Sequence, residues 1–161
     1  MTVLARRLIP TGAELMWSVL SDASQWPSWV ESIEAVAAED VATTEGAAVD
    51  VGVVDDAVPL TASADKAYRI EQPPLPSAVW SVTRWEAGTG FEWQSRGVTT
   101  LVSERYDLSE ASEGTTVTID VTWSGRSAWF ARAAYGPVRQ RYAVAQLEAL
   151  ARVCFDAQSG G

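Results

Sequence analysis

The sequence predicts a run of strands followed by one long helical segment. Alternation of apolar and polar residues over 115–123 predicts a strand with one buried face. Residues 127–156 instead carry apolar residues at helical spacing. A sheet with one apolar face and a single long helix to cover it favours an α+β fold. The inward set of this last strand is Val117, Ile119, Val121 and Trp123.

The segment after the first strand carries two helix signals. Thr11 and Glu14 have the spacing of a capping box, in which each side chain bonds the other's backbone amide, so a helix is predicted over 12–21. A second, short helix is predicted over 24–31. Pro27 is tolerated there because it falls in the first turn, where its missing N–H would have no partner.

The remaining elements complete one predicted domain over 1–157, with a frayed tail over 158–161. An irregular or hairpin segment is predicted over 55–66. Gly136-Pro137 is expected to kink or split the long helix, since proline removes a backbone hydrogen bond. The other predicted strands cover 2–9, 32–40, 46–54, 67–72, 79–86, 91–96 and 98–108.

The composition limits which partners the protein can bind and which catalytic or metal-binding groups it can use. A net charge of −9 argues against nucleic acid and against anionic membranes as partners. Histidine is absent and Cys154 is the only cysteine, so Cys₄ and Cys₂His₂ metal sites and the Ser-His-Asp triad are excluded. We expect no metal, no organic cofactor and an inert buried thiol. Without a signal-peptide pattern or a run of about 20 apolar residues, we expect a cytoplasmic protein, which could form a homodimer.

Four local patterns, in order along the chain, carry a family resemblance. They are MWSVLSDASQWPSWV (16–30), RIEQPPLPSAVWSVTRWEAGTGFEW (69–93), GTTVTIDVTWSG (114–125) and QRYAVAQLEAL (140–150). Together they resemble the START-like, helix-grip superfamily SRPBCC, in its polyketide cyclase/dehydrase branch. The resemblance implies a curved antiparallel sheet wrapped around the C-terminal helix, two short helices after the first strand, and an internal cavity for a hydrophobic small molecule.

Two departures from the branch pattern stand out. The branch usually has a histidine in the strand after its Phe-x-Trp strand. Aligned on Gly97, that position here is Glu104. Residues 40–60 also make a longer segment than is usual, which could extend the sheet or loop over the cavity opening.

Glu104 is the first candidate for catalysis. It shares strand parity with Val98, Thr100, Val102 and Tyr106, so an inward face would place its carboxylate in an apolar cavity. Desolvation there would raise its pKa and make it a usable general acid or base. The alternatives are a carboxylate paired with an arginine, or one that faces solvent.

Arginines and tyrosines are the other polar candidates. Arg69 occupies a position that the resemblance matches, and Arg84 shares parity with inward Trp80, so either could hold a substrate oxygen or pair with a carboxylate. Surface arginines are the commoner case. Tyr106 and Tyr68 could donate to a substrate oxygen, although buried tyrosines usually bond a backbone carbonyl.

Aromatic residues on the predicted inward faces could form the cavity wall or plain core. Trp26 and Trp29 in the second helix could gate the cavity as an aromatic cage, but a plug at the end of the sheet is the favoured interpretation. The predicted ligand-binding set is Trp29, Trp80, Arg84, Phe91, Trp93, Val102, Trp123 and Tyr142, beside the catalytic set Glu104, Tyr106 and Arg69.

Two functions remain open from the sequence. One is an enzyme of secondary metabolism that promotes cyclisation, dehydration or aromatisation of a polyketide-like substrate, mainly by positioning it. The other is a non-catalytic carrier or sensor of a hydrophobic molecule, which needs the cavity and no acid or base.

Overall fold

The fold is a curved seven-stranded antiparallel sheet that holds one long helix, as the α+β helix-grip prediction requires. The computed structural model describes residues 2–39 and 67–159. The strand order across the sheet is β1-β7-β6-β5-β4-β3-β2. The elements are β1 (Thr2–Ile9), α1 (Ala13–Leu20), a 3₁₀ helix (Ala23–Ser28), β2 (Ala35–Glu39), β3 (Ala67–Glu71), β4 (Ala78–Glu86), β5 (Gly90–Arg96), β6 (Leu101–Ala111), β7 (Gly114–Ser124) and α2 (Ala128–Ser159).

The core lies between the inner face of the sheet and α2. Phe91 and Trp93 on β5 are each 1 % exposed, and Val117 on β7 is fully buried. Leu150 on α2 is fully buried against them. Helix α1 contributes Met16, also fully buried, and contacts β6, β7 and α2. The two short elements that follow β1 therefore close one part of the sheet's concave face.

Helix α2 differs from its prediction in two ways. It continues unbroken through Pro137, so the predicted split is wrong. The carbonyl that proline leaves unpaired belongs to Ala133, which lies on the exposed side, where water can bond it. The predicted apolar stripe is also wrong in its first half, because Phe130 and Ala134 are exposed. The buried face comprises Ala143, Gln146, Leu147, Ala149, Leu150 and Cys154.

The predicted capping box at α1 does not form. The N-cap residue is Gly12, and no side chain caps the helix. Thr11 is buried instead, and its Oγ1 accepts a hydrogen bond from Gln158 Nε2 at 2.8 Å. This bond belongs to the last turn of α2, so the predicted fraying is wrong for residues 158–159, which are helical.

A bulge in β4 reverses the direction of its side chains. Val82 pairs with Trp93, but Arg84 pairs with Glu92, so Thr83 is one residue more than the partner strand supplies. An extra residue in a strand shifts the alternation by one. Trp85 therefore packs on the core after the bulge, and Arg84 lies on the outer face.

Several predictions fall in the part of the chain that the structure does not describe. The predicted strand over 46–54, the irregular segment over 55–66 and the whole of the long 40–60 segment lie outside the described residues. Within the described ranges, no helix is long and apolar enough to cross a membrane.

Candidate functional site

A small cavity lies between the concave face of the sheet and the middle of α2. Its volume is about 30 Å³. A cavity needs roughly 10–15 Å³ of this kind of space to hold one water molecule. The interior is therefore largely filled by side chains, and the cavity in this conformation has room for water rather than for an aromatic ring.

Aromatic rings form the sheet side of this cavity. Trp80 on β4 and Trp93 on β5 line it, with ring centroids 5.8 Å apart. Trp26 from the 3₁₀ helix closes the end, 5.4 Å from the Trp93 ring in an edge-to-face contact. Its indole Nε1 donates to the carbonyl of Leu20 at 3.1 Å, which fixes the ring in place. Ile33, Ile70 and Ile119 complete the apolar lining.

Glu104 points into the cavity because β6 pairs without a bulge on both sides. It lies opposite Trp93 on β5 and Val121 on β7, and both of these residues are buried. Trp93 Nε1 donates to Glu104 Oε1 at 3.2 Å. Arg139 Nη1 of α2 donates to Glu104 Oε2 at 3.2 Å. Both carboxylate oxygens of Glu104 therefore already accept a hydrogen bond. This geometry matches the alternative in which the carboxylate is paired with an arginine.

The side chain of Arg139, which belongs to α2, contacts a carboxylate and two aromatic rings of the sheet. Its guanidinium carbon lies 5.3 Å from the Trp80 ring centroid and 5.6 Å from that of Trp123. The side chains of Arg139 and Glu104 are 11 % and 13 % exposed, so both charges are largely out of water. A guanidinium over indole rings is attracted by their negative faces. The charges of Arg139 and Glu104 therefore compensate each other, and the pair forms part of the polar side of the cavity.

The two buried tyrosines, Tyr68 and Tyr106, keep their hydroxyl protons and are not bases. Burial, and then the negative charge of Glu104, raises the pKa of Tyr106 well above its ordinary value. Its hydroxyl therefore stays protonated and donates to Gln146 Oε1 at 3.4 Å. Burial, and then the charge of Asp22, raises the pKa of Tyr68 to about 12. Tyr106 lines the cavity and Tyr68 supports Trp93 from the side, at 6.3 Å between ring centroids.

The structure brings together five of the predicted site residues at the cavity. Glu104 and Tyr106 come from β6, Trp80 and Trp93 from β4 and β5, and Tyr142 from α2. The Tyr142 hydroxyl donates to the carbonyl of Pro73, which ties α2 to the β3–β4 connection.

The two arginines predicted for the site lie elsewhere. Arg69 is exposed on the outer face of β3, since Tyr68 and Ile70 on either side of it are buried. Arg84 is turned outward by the β4 bulge. It pairs there with Glu86 at 2.8 Å and Asp107 at 3.1 Å.

Besides Arg84, four more predicted ligand-binding residues do not line the cavity. Phe91 is core, stacked on the Tyr106 ring at 4.8 Å, and Val102 is also buried outside the lining. The Trp123 ring contacts the Arg139 guanidinium and does not line the cavity. Trp29 is half-buried at 6.3 Å from Trp26, so Trp26, not Trp29, reaches the cavity.

Sequence reasoning missed three polar residues of the lining, Arg139, Gln146 and Gln72. Arg139, Ala143 and Gln146 follow one another at spacings of four and three, which places them on one face of α2. That spacing was visible in the sequence, but an arginine and a glutamine do not register in a pattern of apolar residues. Gln72, whose Nε2 donates to Ser32 Oγ at 2.7 Å, was also missed.

The family assignment rests on nearly the whole length of the chain. The family described as "Polyketide cyclase / dehydrase and lipid transport" matches residues 1–154. The chain belongs to this family. No curated protein sequence matches it. The family and the helix-grip fold point to the binding of a small hydrophobic ligand.

Solved structures share the fold at low sequence identity. One is the di-domain ARO/CYC StfQ from the steffimycin biosynthetic pathway, with a TM-score of 0.68 and 12 % identity over 99 % of this chain. The chain spans only 53 % of StfQ. A hypothetical protein of Helicobacter pylori, jhp0584, has a TM-score of 0.71 and 11 % identity over 93 % of this chain and 85 % of its own. Ara h 8.0201 has a TM-score of 0.61 and 11 % identity, over 94 % and 95 % of the two chains.

Proposed function

We propose that this protein binds a small aromatic or polyketide-like molecule between the sheet and α2, and that it serves as a carrier or sensor. The observation that carries the proposal is the lining of the cavity. Three indole rings, of Trp26, Trp80 and Trp93, face one space together with a compensated ion pair. Flat apolar walls with a few convergent polar groups are typical of small-molecule sites.

Binding requires the cavity to grow. An engineered cavity that accepts benzene has about 150 Å³, several times the present volume. Tyr142 and Gln72 are half-buried members of the lining that take no part in the Glu104–Arg139 ion pair, so their movement is the least costly way to make room. The Tyr142 bond to Pro73 would break in that movement. Association should therefore be slower than at a site that is already open, because the ligand can enter only after this movement.

A cavity-filling substitution tests the proposal with toluene as a plain hydrophobic probe. Ala143 lines the cavity and is 5 % exposed. In Ala143→Phe the added ring occupies the ligand's space. Displacing it costs about 1–3 kcal/mol, so toluene should bind about fivefold or more weakly. Ligand-observed NMR titration measures the affinity.

Ala133 supplies the matched control for this test. It lies on the exposed side of the same helix, so Ala133→Phe should bind toluene like the natural chain. Ala143→Leu is a milder filling variant if the phenylalanine disturbs folding, which circular dichroism would show. If toluene fails to bind the natural chain, or binds both phenylalanine variants equally, the proposed function is wrong.

Catalysis of a cyclisation or dehydration is the second candidate, favoured by the position of Glu104 and Tyr106 side by side on the inner face of β6. The protonated Tyr106 would donate to a developing enolate oxygen. Glu104 would act as the base only after its Oε2 atom loses the hydrogen bond from Arg139.

Loss of the carboxylate tests this second candidate. Glu104→Gln keeps an oxygen for Arg139 but cannot take a proton, so turnover of a poly-β-ketone substrate should fall by about 10²–10⁴-fold. Mass spectrometry follows the reaction through the loss of water. Equal turnover in the natural chain and in Glu104→Gln would rule out a role for Glu104 as the base.

A further inference from the structure

Two hydrogen-bond donors at the cavity have no acceptor among the described residues. They are Gln146 Nε2 and Arg139 Nε, both on α2 and both buried. Gln146 is 5 % exposed, and it lines the cavity together with Arg139. The two residues are seven apart, so they lie on one face of the helix, two turns from each other. Both unpaired donors therefore belong to the same side of the same cavity.

In the structure, the Tyr106 hydroxyl engages the oxygen end of the Gln146 amide. The Tyr106 hydroxyl is fully inside the protein and donates to Gln146 Oε1 at 3.4 Å. The amide oxygen is thereby engaged, and the amide NH₂ is left as the donor. A buried donor left without a partner costs about 1–3 kcal/mol, and nearly all such groups in proteins are satisfied. An acceptor that is not among the described residues is therefore indicated.

The surrounding charges select the kind of acceptor. Glu104 contributes a negative charge to the lining, and Arg139 compensates it through Nη1. An anionic ligand would place a second negative charge in a site that has no further cation among the described residues that line it. Burial of an uncompensated charge is far more costly than burial of a neutral acceptor. The site is thus matched to a neutral oxygen.

We infer that the ligand of this cavity carries a neutral acceptor oxygen, such as that of a ketone, an aldehyde or an ester, which accepts a hydrogen bond from Gln146 Nε2. Arg139 Nε is a second donor on the same side of the cavity. This inference rests on the proposed function, because it specifies the ligand of the same site. It separates carbonyl compounds from hydrocarbons and from carboxylic acids of the same shape.

Three single-ring probes of nearly equal shape test the inference. Acetophenone carries the neutral carbonyl oxygen, α-methylstyrene replaces that oxygen by a CH₂ group, and benzoate carries a charge. Acetophenone should bind the natural chain about tenfold more tightly than α-methylstyrene, which is the usual worth of one hydrogen bond. Benzoate should bind more weakly than acetophenone. Ligand-observed NMR titration of the full chain gives the three affinities.

Substitution of the amide tests whether Gln146 causes the difference. In Gln146→Leu, the preference for acetophenone over α-methylstyrene should disappear, because the side chain has lost its donor. Gln140→Leu is the matched control, since Gln140 is exposed on the same helix, and it should keep the preference. Gln146→Met provides a flexible, unbranched replacement if the leucine variant does not fold. If neither variant folds, the contrast between the probes in the natural chain decides.

Each outcome bears on a different statement. If none of the probes binds, the proposed function is wrong and the inference falls with it. Equal binding of acetophenone and α-methylstyrene to the natural chain would leave the proposed function intact and overturn the inference, with water as the acceptor for Gln146. Tightest binding of benzoate would identify an anion site and overturn it as well. A preference that persists in Gln146→Leu would assign the oxygen to another donor.

Discussion

Trp26→Ala is expected to lower the free energy of unfolding by about 3–5 kcal/mol, the usual cost of truncating a large buried aromatic residue. Trp26 is 1 % exposed, and its ring meets Trp93 at 5.4 Å and Tyr106 at 5.6 Å. Its indole also donates to the Leu20 carbonyl, which would be left without that bond. Urea unfolding followed by far-ultraviolet circular dichroism measures the change.

Two other tryptophans calibrate this result. Trp129 is 74 % exposed, so Trp129→Ala should change the free energy of unfolding by no more than about 0.5 kcal/mol. Trp29 is half-buried and should fall between the two. An effect of Trp29→Ala larger than that of Trp26→Ala would contradict the assignment of Trp26 as the ring that closes the cavity end. A gate at Trp29 would instead show as altered toluene affinity with little loss of stability.

Inward faces could be predicted wherever the alternation of buried and exposed residues is uninterrupted. Strand β6 pairs in continuous register with β7, so counting by twos from Tyr106 correctly turns Glu104 inward. The same counting failed at Arg84, because the β4 bulge adds one residue. Nothing in the letters of VWSVTRWE marks that residue. Bulges depend on pairing with the neighbouring strand, which a single strand's pattern does not contain.

Arg69 shows a different kind of error. The alternation in AYRIE already places Arg69 on the face opposite Tyr68 and Ile70, both of which are buried. The family resemblance matched the position along the strand but carries no information about the face. Local periodicity was the better guide there, because it reflects which side of the strand is shielded from water.

The polar side of the cavity was the hardest part to predict. Arg139 and Gln146 lie on the buried face of α2, where charged and amide side chains are rare unless they have partners. Their partners, Glu104 and Tyr106, are about 35 and 40 residues earlier in the chain. The small volume of the cavity could not be predicted from the sequence either, since it depends on how the tryptophan rings pack together.

The buried ion pair should show strong coupling between its two residues. Glu104→Leu or Arg139→Leu alone leaves one charge largely buried without its partner, at 3.2 Å in the natural chain. Each single variant should therefore lose about 3–5 kcal/mol of stability. The double variant Glu104→Leu/Arg139→Leu removes both charges. It should lose much less than the sum, because leucines can pack against the neighbouring tryptophan rings.

A double-mutant cycle measured by urea unfolding gives this coupling directly. The outer-face pair of Arg84 and Glu86 is the matched control, because its side chains are 24 % and 58 % exposed. Exposed pairs contribute about 0.2–1 kcal/mol, so Arg84→Leu and Glu86→Leu should couple weakly. Additive losses in the Glu104 and Arg139 cycle would show that the charges do not depend on each other. They would also remove the reason for expecting the cavity to favour a neutral ligand, since that selectivity requires Arg139 to be already neutralised.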